Sequence, residues 1–351
     1  MKLVSIVILN WNGREYLEKF LPYLLRYTTL PDAEIVVADN GSTDDSLEFL
    51  KREYPRIRII ALEKNHGFSG GYNRAFEQLD SKYMLLLNSD IEVSEAWLEP
   101  MIRVMEKDES IAACTPKLLD FKRRTHFEYA GAAGGYIDKY GYPFCRGRIF
   151  DQLEEDKGQY DQAADIFWGS GACLMVRSVL YRESGGLDEQ FFAHMEEIDL
   201  CWRLQQMGYR IRYVPTSKVY HVGGATLQRG NSYKTFLNFR NNLLLLYKNL
   251  PARRRGKILL IRQVLDGISA MRFLLRGDFS DFRAIFRAHV AFYGMKSSYR
   301  GIKKQNKSGE KSVIVVGIYP GSIVADFFLK KKRKFSELDQ SFSKIKNDEQ
   351  L

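Results

Sequence analysis

Asp90 is the side chain whose position in the sequence most clearly indicates chemistry. It ends the polar triplet Asn88-Ser89-Asp90, which directly follows the apolar run Tyr83–Leu87. Five consecutive apolar residues predict a strand buried on both faces, as in a parallel sheet, and ligands bind beyond the carboxyl ends of such strands. A carboxylate in this position can hold a divalent cation and, through it, a diphosphate. An aspartate after a strand can equally cap the next turn. Other residues near the strand ends are needed to distinguish a cation-binding carboxylate from a turn cap.

Polar side chains also follow two earlier apolar runs. Asn10 and Asn12 come after the run Val4–Leu9, and Asp39 comes after Glu34–Ala38. Both runs predict buried strands, and the carboxyl ends of parallel strands meet at one edge of a sheet. Asp39 alone is weak evidence, because an Asp-Asn-Gly-Ser turn needs no ligand. Together with the later carboxylate, these groups predict a nucleotide site in which Asp39 contacts the base or the ribose.

A glycine-rich segment, Asn65–Gly71, separates a third predicted strand, Arg58–Ala61, from a helix predicted over Tyr72–Leu79. Glycines let the backbone approach a ligand closely, and a helix N-terminus favours phosphate. Such segments also occur as simple turns, so this one carries weight only beside the strand ends. The residues predicted to line the nucleotide site are Leu9, Asn10, Trp11, Asn12, Asp39, Asn65, Gly67, Gly70, Asn73, Asn88 and Asp90.

The elements that must position these groups alternate as β-α-β-α-β-α-β over the first ninety residues, which is typical of a parallel sheet wound with helices. Residues 120–165 show no clear period and predict a long excursion over the acceptor side. Residues 166–176 predict a return to a buried strand. Within them, Trp168, Gly169, Ser170 and Gly171 could form an acceptor floor, although small residues there also permit close packing.

A second acidic group, Glu196, Glu197 and Asp199, stands at the start of a predicted helix, where the helix dipole favours negative charge. In a displacement reaction, a carboxylate on the acceptor side can take the proton of an attacking hydroxyl. The alternative is a set of helix N-terminal carboxylates with Arg203 as a partner. The residues alone do not choose between the two.

The order of these motifs resembles that of family 2 glycosyltransferases, and especially the rhamnosyltransferase-like branch of bacterial surface polysaccharide synthesis. The matching stretches are Val4–Gly13, Glu34–Ser46, Asn65–Asn73 and Tyr83–Asp90, and the resemblance extends over roughly residues 1–230. It implies the α/β fold called GT-A, with a Rossmann-like mixed sheet. It also implies a nucleotide-sugar donor, a divalent cation such as Mg²⁺ or Mn²⁺, and inversion at the anomeric carbon.

The resemblance also implies roles for single residues. Asn88 stands where the family has the first acid of an Asp-x-Asp motif, so Asp90 is expected to be the principal metal carboxylate. The second acidic group resembles the motif Glu-Asp-x-Asp-Leu-x-x-Arg, which makes Glu197 the expected general base, one methylene longer than the usual aspartate. Asp199 is expected to orient the helix or a neighbouring side chain. His221 is expected near the diphosphate or metal, although a lone histidine is more often structural.

The amino-acid composition is typical of a globular protein. Of 351 residues, 45% are hydrophobic and 27% charged, which is ordinary for a globular protein. The four cysteines are far apart and predict reduced thiols in a cytosolic protein. The chain enters a strand-like run directly after Met1 and has no apolar run of about 18 residues, so we expect neither a signal peptide nor a membrane span.

Basic charge is concentrated at the C-terminal end. Residues 241–351 contain 23 of the 53 lysines and arginines but 9 of the 43 acidic residues. A helix predicted over residues 282–293 has an apolar stripe beside Arg283 and Arg287, which is typical of a segment that binds an anionic membrane surface. The alternative is a set of helices packed on the catalytic domain with a solvated basic face. No nucleic-acid-binding motif accompanies the charge, so we expect no nucleic acid partner.

The sequence therefore predicts a GT-A catalytic domain over residues 1–232, with a donor half at about 1–118 and an acceptor half at about 119–232. A basic helical extension over 233–335 and a polar tail over 336–351 follow. The expected function is inverting transfer of a sugar from a nucleotide-diphosphate donor to a lipid-linked saccharide in cell-surface polysaccharide synthesis. The expected location is the cytoplasm, peripherally on the inner face of the cytoplasmic membrane.

Two other functions stay open at this point. A sugar nucleotidyltransferase would bind similar ligands, but it needs a loop with lysine or arginine after the first strand, and Asn10-Trp11-Asn12-Gly13 is not such a loop. A non-catalytic nucleotide-sugar-binding protein would need no base on the acceptor side.

Overall fold

A computed structural model of the protein describes residues 1–223, 231–299, 315–339 and 342. The α-helices are α1 (Arg14–Tyr27), α2 (Ser46–Glu53), α3 (Gly67–Phe76), α4 (Glu99–Lys107), α5 (Ser178–Glu183), α6 (Glu196–Gln206), α7 (Ser232–Asn249), α8 (Ala252–Leu275), α9 (Phe279–Met295) and α10 (Ile323–Phe328). The β-strands are β1 (Lys2–Asn10), β2 (Ala33–Asp39), β3 (Arg58–Ala61), β4 (Ser81–Asn88), β5 (Ile91–Val93), β6 (Ile111–Asp120), β7 (Gly135–Asp138), β8 (Pro143–Cys145), β9 (Arg148–Ile149), β10 (Gln152–Leu153), β11 (Ala164–Ile166), β12 (Cys173–Arg177), β13 (Arg210–His221) and β14 (Ile318–Tyr319).

The main sheet is mixed. Its strand order is β11-β13-β6-β12-β4-β1-β2-β3, and β5 pairs with β13 beside this path. Strands β3, β2, β1 and β4 are parallel, whereas β12 runs antiparallel to both of its neighbours, β4 and β6. The parallel winding predicted for the first four strands is confirmed, and the mixed sheet is the one that the resemblance implied.

Both faces of this sheet are covered, because successive residues of a strand point to opposite sides. In β1, Ile6 and Ile8 belong to the core cluster that α1 covers, and Val7 belongs to the cluster that α3 covers. Leu17 and Leu21 of α1 are buried in the first of these clusters. Burial on both sides explains why the strand-forming stretches are nearly continuous apolar runs.

Two predicted boundaries are wrong. Helix α3 begins at Gly67, so most of the glycine-rich segment is its first turns and not a loop before Tyr72. The strand predicted over residues 166–176 is divided between β11 and β12, which belong to different parts of the main sheet. An apolar run shows that a segment is buried, but it does not show where a strand turns away from its sheet.

A second sheet, of order β10-β9-β8-β7-β14, contains much of the region predicted as an excursion without a period. Its strands are two to four residues long, too short for an alternating pattern to be recognised in the sequence. Lys117 at the end of β6 is buried and forms ion pairs with Asp156, at 2.7 Å, and with Asp161. These ion pairs fix the far end of the excursion against the main sheet.

The C-terminal helices share the larger core with the residues before them. Helix α7 contributes Leu243–Leu246 to that core, and β14 completes the second sheet. Arg262 of α8 is buried and donates to Asn242 of α7 at 2.5 Å and to Asp266 at 2.7 Å. Within the part of the chain that the structure describes, no helix is both long and apolar enough to cross a membrane.

The predicted polar tail lies mostly on residues 340–341 and 343–351, outside the described residues. Within it, Leu338 and Phe342 are buried, and Phe342 packs against the rings of Tyr136 and Tyr319. The described part of this segment therefore contributes apolar side chains to the core beside the second sheet.

Candidate active site

The register of the parallel strands brings the first group of predicted site residues to one edge. Asn10 lies opposite Asp39 in the β1–β2 pair, and Leu9 lies opposite Asn88 in the β1–β4 pair. Asn10 Nδ2 donates to Asp39 Oδ1 at 3.0 Å, and the backbone N–H of Ser42 donates to Asp39 Oδ2 at 3.0 Å. Both oxygens of this carboxylate are therefore held by the protein, and the side chain is buried.

The loop after β1 is tied to the loop after β2. Asn12 has a left-handed backbone (φ 50°), and its side-chain oxygen accepts from the N–H groups of Thr43, at 2.7 Å, and Asp44, at 3.3 Å. Trp11 beside it is 41% exposed. An exposed ring at the strand-end edge offers a face for a nucleobase to stack on.

The glycines of α3 make room for protein atoms. Gly67 has a φ of +71°, and a Cβ there would lie 2.5 Å from the ring of Phe192. A Cβ on Gly71 would lie 2.6 Å from Leu9. These contacts correct the expectation that the glycines admit a ligand. Asn65 connects this segment to the strand-end edge, because its side-chain oxygen accepts from Asn40 Nδ2 at 3.1 Å and from the Gly67 N–H at 2.8 Å.

Gly70 and Asn73 lie on the part of α3 that contacts the acceptor half. A Cβ on Gly70 would be 2.9 Å from a guanidinium nitrogen of Arg74. Asn73 donates to the Leu187 carbonyl at 2.8 Å and accepts from the Tyr181 hydroxyl at 2.6 Å. The structure therefore does not bring Asn73 into the strand-end group, and its amide serves to hold α3 against residues 181–187.

Asp90 and His221, which are 131 residues apart, meet because β5 pairs with β13. Asp90 Oδ1 lies 3.1 Å from His221 Nε2, and the Gly223 N–H donates to Asp90 Oδ2 at 3.1 Å. His221 Nδ1 lies 3.2 Å from Glu128 Oε1 on the other side of the ring. Asn88 Nδ2 also approaches His221 Nε2, at 3.4 Å. Sequence reasoning missed Glu128, which lies in the excursion where no pattern marks it.

Asp90 and His221 shift each other's pKa values in the direction that favours their charged forms. Burial alone would lower the pKa of His221, but the carboxylates of Asp90 and Glu128 raise it well above its ordinary value. Burial alone would likewise raise the pKa of Asp90, and the charge of His221 with its hydrogen bond holds it below the usual value. The raised pKa of His221 favours an imidazolium between the carboxylates of Asp90 and Glu128.

The same atoms suit a divalent cation. Neighbouring ligands of an octahedral ion at about 2.1 Å are roughly 3 Å apart, and the Asp90 and His221 atoms are separated by 3.1 Å. Glu128 would then hold the second ring nitrogen, as carboxylates commonly do for metal-bound histidines. Within residues 1–223, 231–299, 315–339 and 342, no three acidic, cysteine or histidine side chains are grouped as a complete metal site. The pair would supply two ligands, and the remaining positions would fall to substrate oxygens and water.

The second acidic group stands at the start of α6, as predicted, after a strained turn. Phe192, His194 and Met195 all have left-handed backbones, with φ of 65°, 70° and 74°. Such conformations cost about 1–3 kcal/mol each for residues other than glycine and are concentrated at functional sites. The carboxylates of Glu196 and Glu197 follow this turn directly.

Asp199 is a structural anion. It is fully buried and accepts from Arg203 at 2.7 Å, from Lys248 at 2.8 Å and from Asn249 at 2.8 Å. Burial would raise its pKa, but the charges of Arg203 and Lys248 lower the pKa of Asp199 to about 2. The expectation that it orients its helix agrees with these contacts, and none of its partners is a reacting group.

Glu197 is the more accessible of the two glutamates. A Cβ built on Gly171 would lie 3.6 Å from Glu197 Cβ and 3.1 Å from the Phe68 ring, so the glycine lets residue 171 pack beside both residues. Burial raises the pKa of Glu197 to about 7. Glu196 is buried, and burial together with the neighbouring carboxylates raises its pKa well above the ordinary value. Glu197 is therefore the carboxylate suited to exchange a proton near neutral pH.

The acceptor floor predicted from Trp168 onward is wrong for its first two residues. Trp168 is buried, and its ring nitrogen donates to the Tyr136 carbonyl at 3.0 Å. Its ring fills the space over Gly135, where a Cβ would lie 2.0 Å from it. Gly169 permits close packing of Thr115. These contacts agree with the alternative that the small residues of this segment permit close packing. The indole ring of Trp168 stabilises the core because its burial removes a large apolar area from water.

Ser170 is also buried, and its hydroxyl accepts from the Ala172 N–H at 3.3 Å. The carbonyl of Ala172 in turn accepts from the Asn88 N–H at 3.0 Å. The segment 170–172 therefore joins two parts of the site. It borders Glu197 through Gly171, and it contacts the strand end that leads to Asp90.

Comparison with known proteins finds a family model that matches part of the chain. Residues 5–168 match the model of the family described as Glycosyl transferase family 2. The chain is 24% identical over 233 residues to the N-acetylglucosaminyl-diphospho-decaprenol L-rhamnosyltransferase of Mycobacterium tuberculosis, covering 62% of this chain and 76% of the relative.

Solved structures show the same fold at low identity. The GalNAc-T7 structure with UDP, GalNAc and Mn²⁺ has a TM-score of 0.56 and 17% identity, and the match covers 71% of this chain and 48% of that one. The mannosyltransferase PcManGT from Pyrobaculum calidifontis, in complex with GDP-Man and Mn²⁺, has a TM-score of 0.52 and 12% identity, covering 83% and 86% of the two chains. The GT-A fold implied by the sequence is confirmed.

The contact between Gly67 and Phe192 can be tested by stability. We expect Gly67→Ala to lower the free energy of unfolding by about 2–4 kcal/mol, because a left-handed alanine and a clash with the Phe192 ring add together. Gly256→Ala, in open space on α8, is the control and should stabilise by up to about 1 kcal/mol. Urea unfolding measures both. An unchanged stability of the Gly67 variant, with weaker nucleotide binding, would restore the ligand role that the sequence suggested.

Proposed function

Because this chain carries a glycosyl transferase family 2 domain, we propose that it transfers a sugar, with inversion, from a nucleotide-diphosphate donor to a lipid-linked saccharide. The observation that carries the proposal is the arrangement around residues 170–172. The Asp90–His221 pair lies beyond the strand end that contacts Ala172, and Glu197 lies beside Gly171. A pair suited to hold a cation and the candidate base thus border one short segment.

The donor would bind along the strand-end edge. The base would stack on the exposed ring of Trp11, and the loops fixed by Asn12 and Asp39 would contact the base and ribose. A divalent cation held by Asp90 and His221 would neutralise charge on the diphosphate. Glu128 would keep the ring of His221 oriented toward it.

The transfer itself is a single displacement. The acceptor oxygen forms a bond to the anomeric carbon while the bond from that carbon to the diphosphate oxygen breaks, and the nucleoside diphosphate leaves with the electron pair. Glu197 takes the hydroxyl proton as general base. Asp199 cannot do so, because both of its oxygens are held by Arg203, Lys248 and Asn249.

The substrate class follows from the mycobacterial relative, whose name specifies transfer of L-rhamnose to a sugar on a diphospho-decaprenol lipid. We propose a hexose or deoxyhexose donor and a saccharide on a lipid diphosphate, in cell-surface polysaccharide synthesis. Such an acceptor is confined to a membrane, so the protein would act at the inner face of the cytoplasmic membrane.

Helices α8 and α9 carry a surface that suits this location. Phe286 is 68% exposed and Leu260 is 64% exposed. The exposed apolar side chains of the two helices, here called the α8–α9 surface, are Leu260, Val264, Ile268, Met271, Leu275, Phe279, Phe286, Val290 and Tyr293. Exposed arginines, including Arg272 and Arg283, lie on the same helices. Apolar side chains beside basic ones fit a membrane of anionic lipids.

Donor binding tests the first half of the site. We expect one donor of the panel UDP-glucose, UDP-galactose, UDP-N-acetylglucosamine, GDP-mannose and dTDP-rhamnose to raise the melting temperature when Mn²⁺ is present. At one hundred times Kd the stabilisation is about 2.7 kcal/mol. Asp90→Asn keeps the side-chain shape but removes the charge, and it should abolish the dependence on Mn²⁺. Asp151→Asn, at an exposed site, should match the wild type. If no donor stabilises the protein, the proposed function fails.

The base is tested by pH and substitution. A carboxylate with a pKa of about 7 is active when ionised, so kcat should be roughly half-maximal near pH 7 and fall tenfold per unit below it. Glu197→Gln should reduce kcat by about 10²–10⁴, whereas Glu197→Asp retains a carboxylate and should keep part of the activity. Initial rates between pH 5 and 9 measure this. Unchanged transfer by the glutamine variant would exclude Glu197 as the base.

Vesicle binding tests the membrane surface. We expect sedimentation with vesicles containing phosphatidylglycerol and weaker binding to pure phosphatidylcholine. Ile268→Ser combined with Phe286→Ser should weaken binding at least tenfold, since burial of each apolar side chain contributes about 1.5–3 kcal/mol. Val179→Ser, at an exposed site on α5, controls for general surface polarity. Binding that is equal for the double variant and the control would show that α8 and α9 do not contact lipid.

A further inference from the structure

The turn Phe191–Met195, here called the 191–195 turn, directly precedes the helix that carries the candidate base, and its backbone is strained. Three of its five residues are left-handed without being glycine, so contacts from the surrounding structure must hold it. Glu196 and Glu197 follow it directly, so any movement of the turn moves the first turn of α6 with it.

One side of the turn is held by α3. The Phe192 carbonyl accepts from the N–H of Phe68 at 2.7 Å and from the N–H of Ser69 at 3.3 Å. These N–H groups lie in the first turn of the helix, where they have no partner within the helix itself. Helix α3, in the donor half of the site, is therefore hydrogen-bonded to the turn that precedes the candidate base.

The other side is held by α7, and mainly by Asn241. This side chain is 0% exposed. Its Nδ2 atom lies 2.9 Å from the Phe191 carbonyl oxygen, 2.8 Å from that of Ala193 and 2.8 Å from that of His194. An amide NH₂ has two hydrogens, so the three acceptors share them. Arg240 adds donations to Phe191, at 3.0 Å, and to the Gln190 carbonyl, at 3.1 Å.

We propose that Asn241 is a positioning residue for glycosyl transfer: by holding the 191–195 turn, it sets the orientation of the Glu197 carboxylate. This inference rests on the proposed function. It also makes α7 part of the active site, although the sequence placed that helix in a separate extension. Position 241 requires a donor on the side of the turn, because three carbonyl oxygens face its Nδ2 atom. Its Oδ1 atom accepts from Arg240 Nε at 2.9 Å, so a carboxamide satisfies both sides.

The next residue provides a matched control. Asn242 is also 0% exposed and lies on the same helix. Its Nδ2 atom donates to the Gly141 carbonyl at 2.7 Å, and its oxygen accepts from Arg262. Asn242 therefore has the burial and hydrogen bonding of Asn241 but binds no atom of the 191–195 turn.

Hydrogen exchange of the free full-length protein tests the contact without any substrate. Asn241→Asp preserves the shape of the side chain, removes its donors and places a carboxylate against three carbonyls. We expect amide exchange to become at least tenfold faster in peptides covering residues 66–70 and 191–198. Asn242→Ala should lower the melting temperature by a few degrees and leave exchange in these peptides unchanged.

Kinetics with the donor identified above then separate positioning from stability. Asn241→Asp should reduce kcat by about 10–100-fold, with less than a threefold change in KM for the donor. In a Glu197→Gln background the same substitution should cost less than threefold, because two residues that act through one group are not additive. Equal exchange and equal kcat in the Asn241 and Asn242 variants would overturn the proposal, as would full additivity with Glu197→Gln. If the wild type uses no donor, the proposed function fails, and the exchange data alone decide whether Asn241 holds the turn.

Discussion

The acceptor side of this molecule depends on the ion pairs that the ionised carboxylate of Asp199 forms with Arg203 and Lys248. This carboxylate lies completely buried between α6 and α7, where an unpaired charge would cost several kcal/mol. Lys248 meets both Asp199 and Asp188 at 2.8 Å, and Arg203 extends from Asp199 to the Gly186 carbonyl at 2.6 Å. The direction of α6, and with it the start of the helix where Glu197 stands, is set by this charge and its cations.

The metal side of the site uses charge differently. Asp90, His221 and Glu128 are all buried, and their side chains contact one another in a row. When the histidine is protonated, the row carries one positive and two negative charges. Loss of that proton to accommodate a divalent cation would replace one positive charge with two. The same arrangement can therefore be stable with and without the metal, because the carboxylates keep a positive partner in both states.

The C-terminal helices have an inner and an outer set of side chains. Their inner residues, Asn241 among them, contact the catalytic domain, and Arg262 with Asp266 fixes α8 to α7 through Asn242. Their outer residues, such as Phe286, are exposed. A helix layer that contacts the base-bearing turn on one side and is available to lipid on the other would place the acceptor-side base close to a membrane-bound substrate.

The amino-acid sequence was enough to predict the winding of β1 to β4, the polar groups at their carboxyl ends, the acidic start of α6 and the family. These features are local, since each depends on the period of apolar residues and on the side chain that follows. The contact between His221 and Asp90 became evident from the folded chain, because it depends on the pairing of β5 with β13 across more than a hundred residues. The folded chain likewise shows that Trp168 is a core residue and that Gly67 accommodates Phe192. The contribution of Glu128 and Asn241 also came from the tertiary structure alone, because a buried hydrogen bond between distant segments leaves no periodic pattern in the chain.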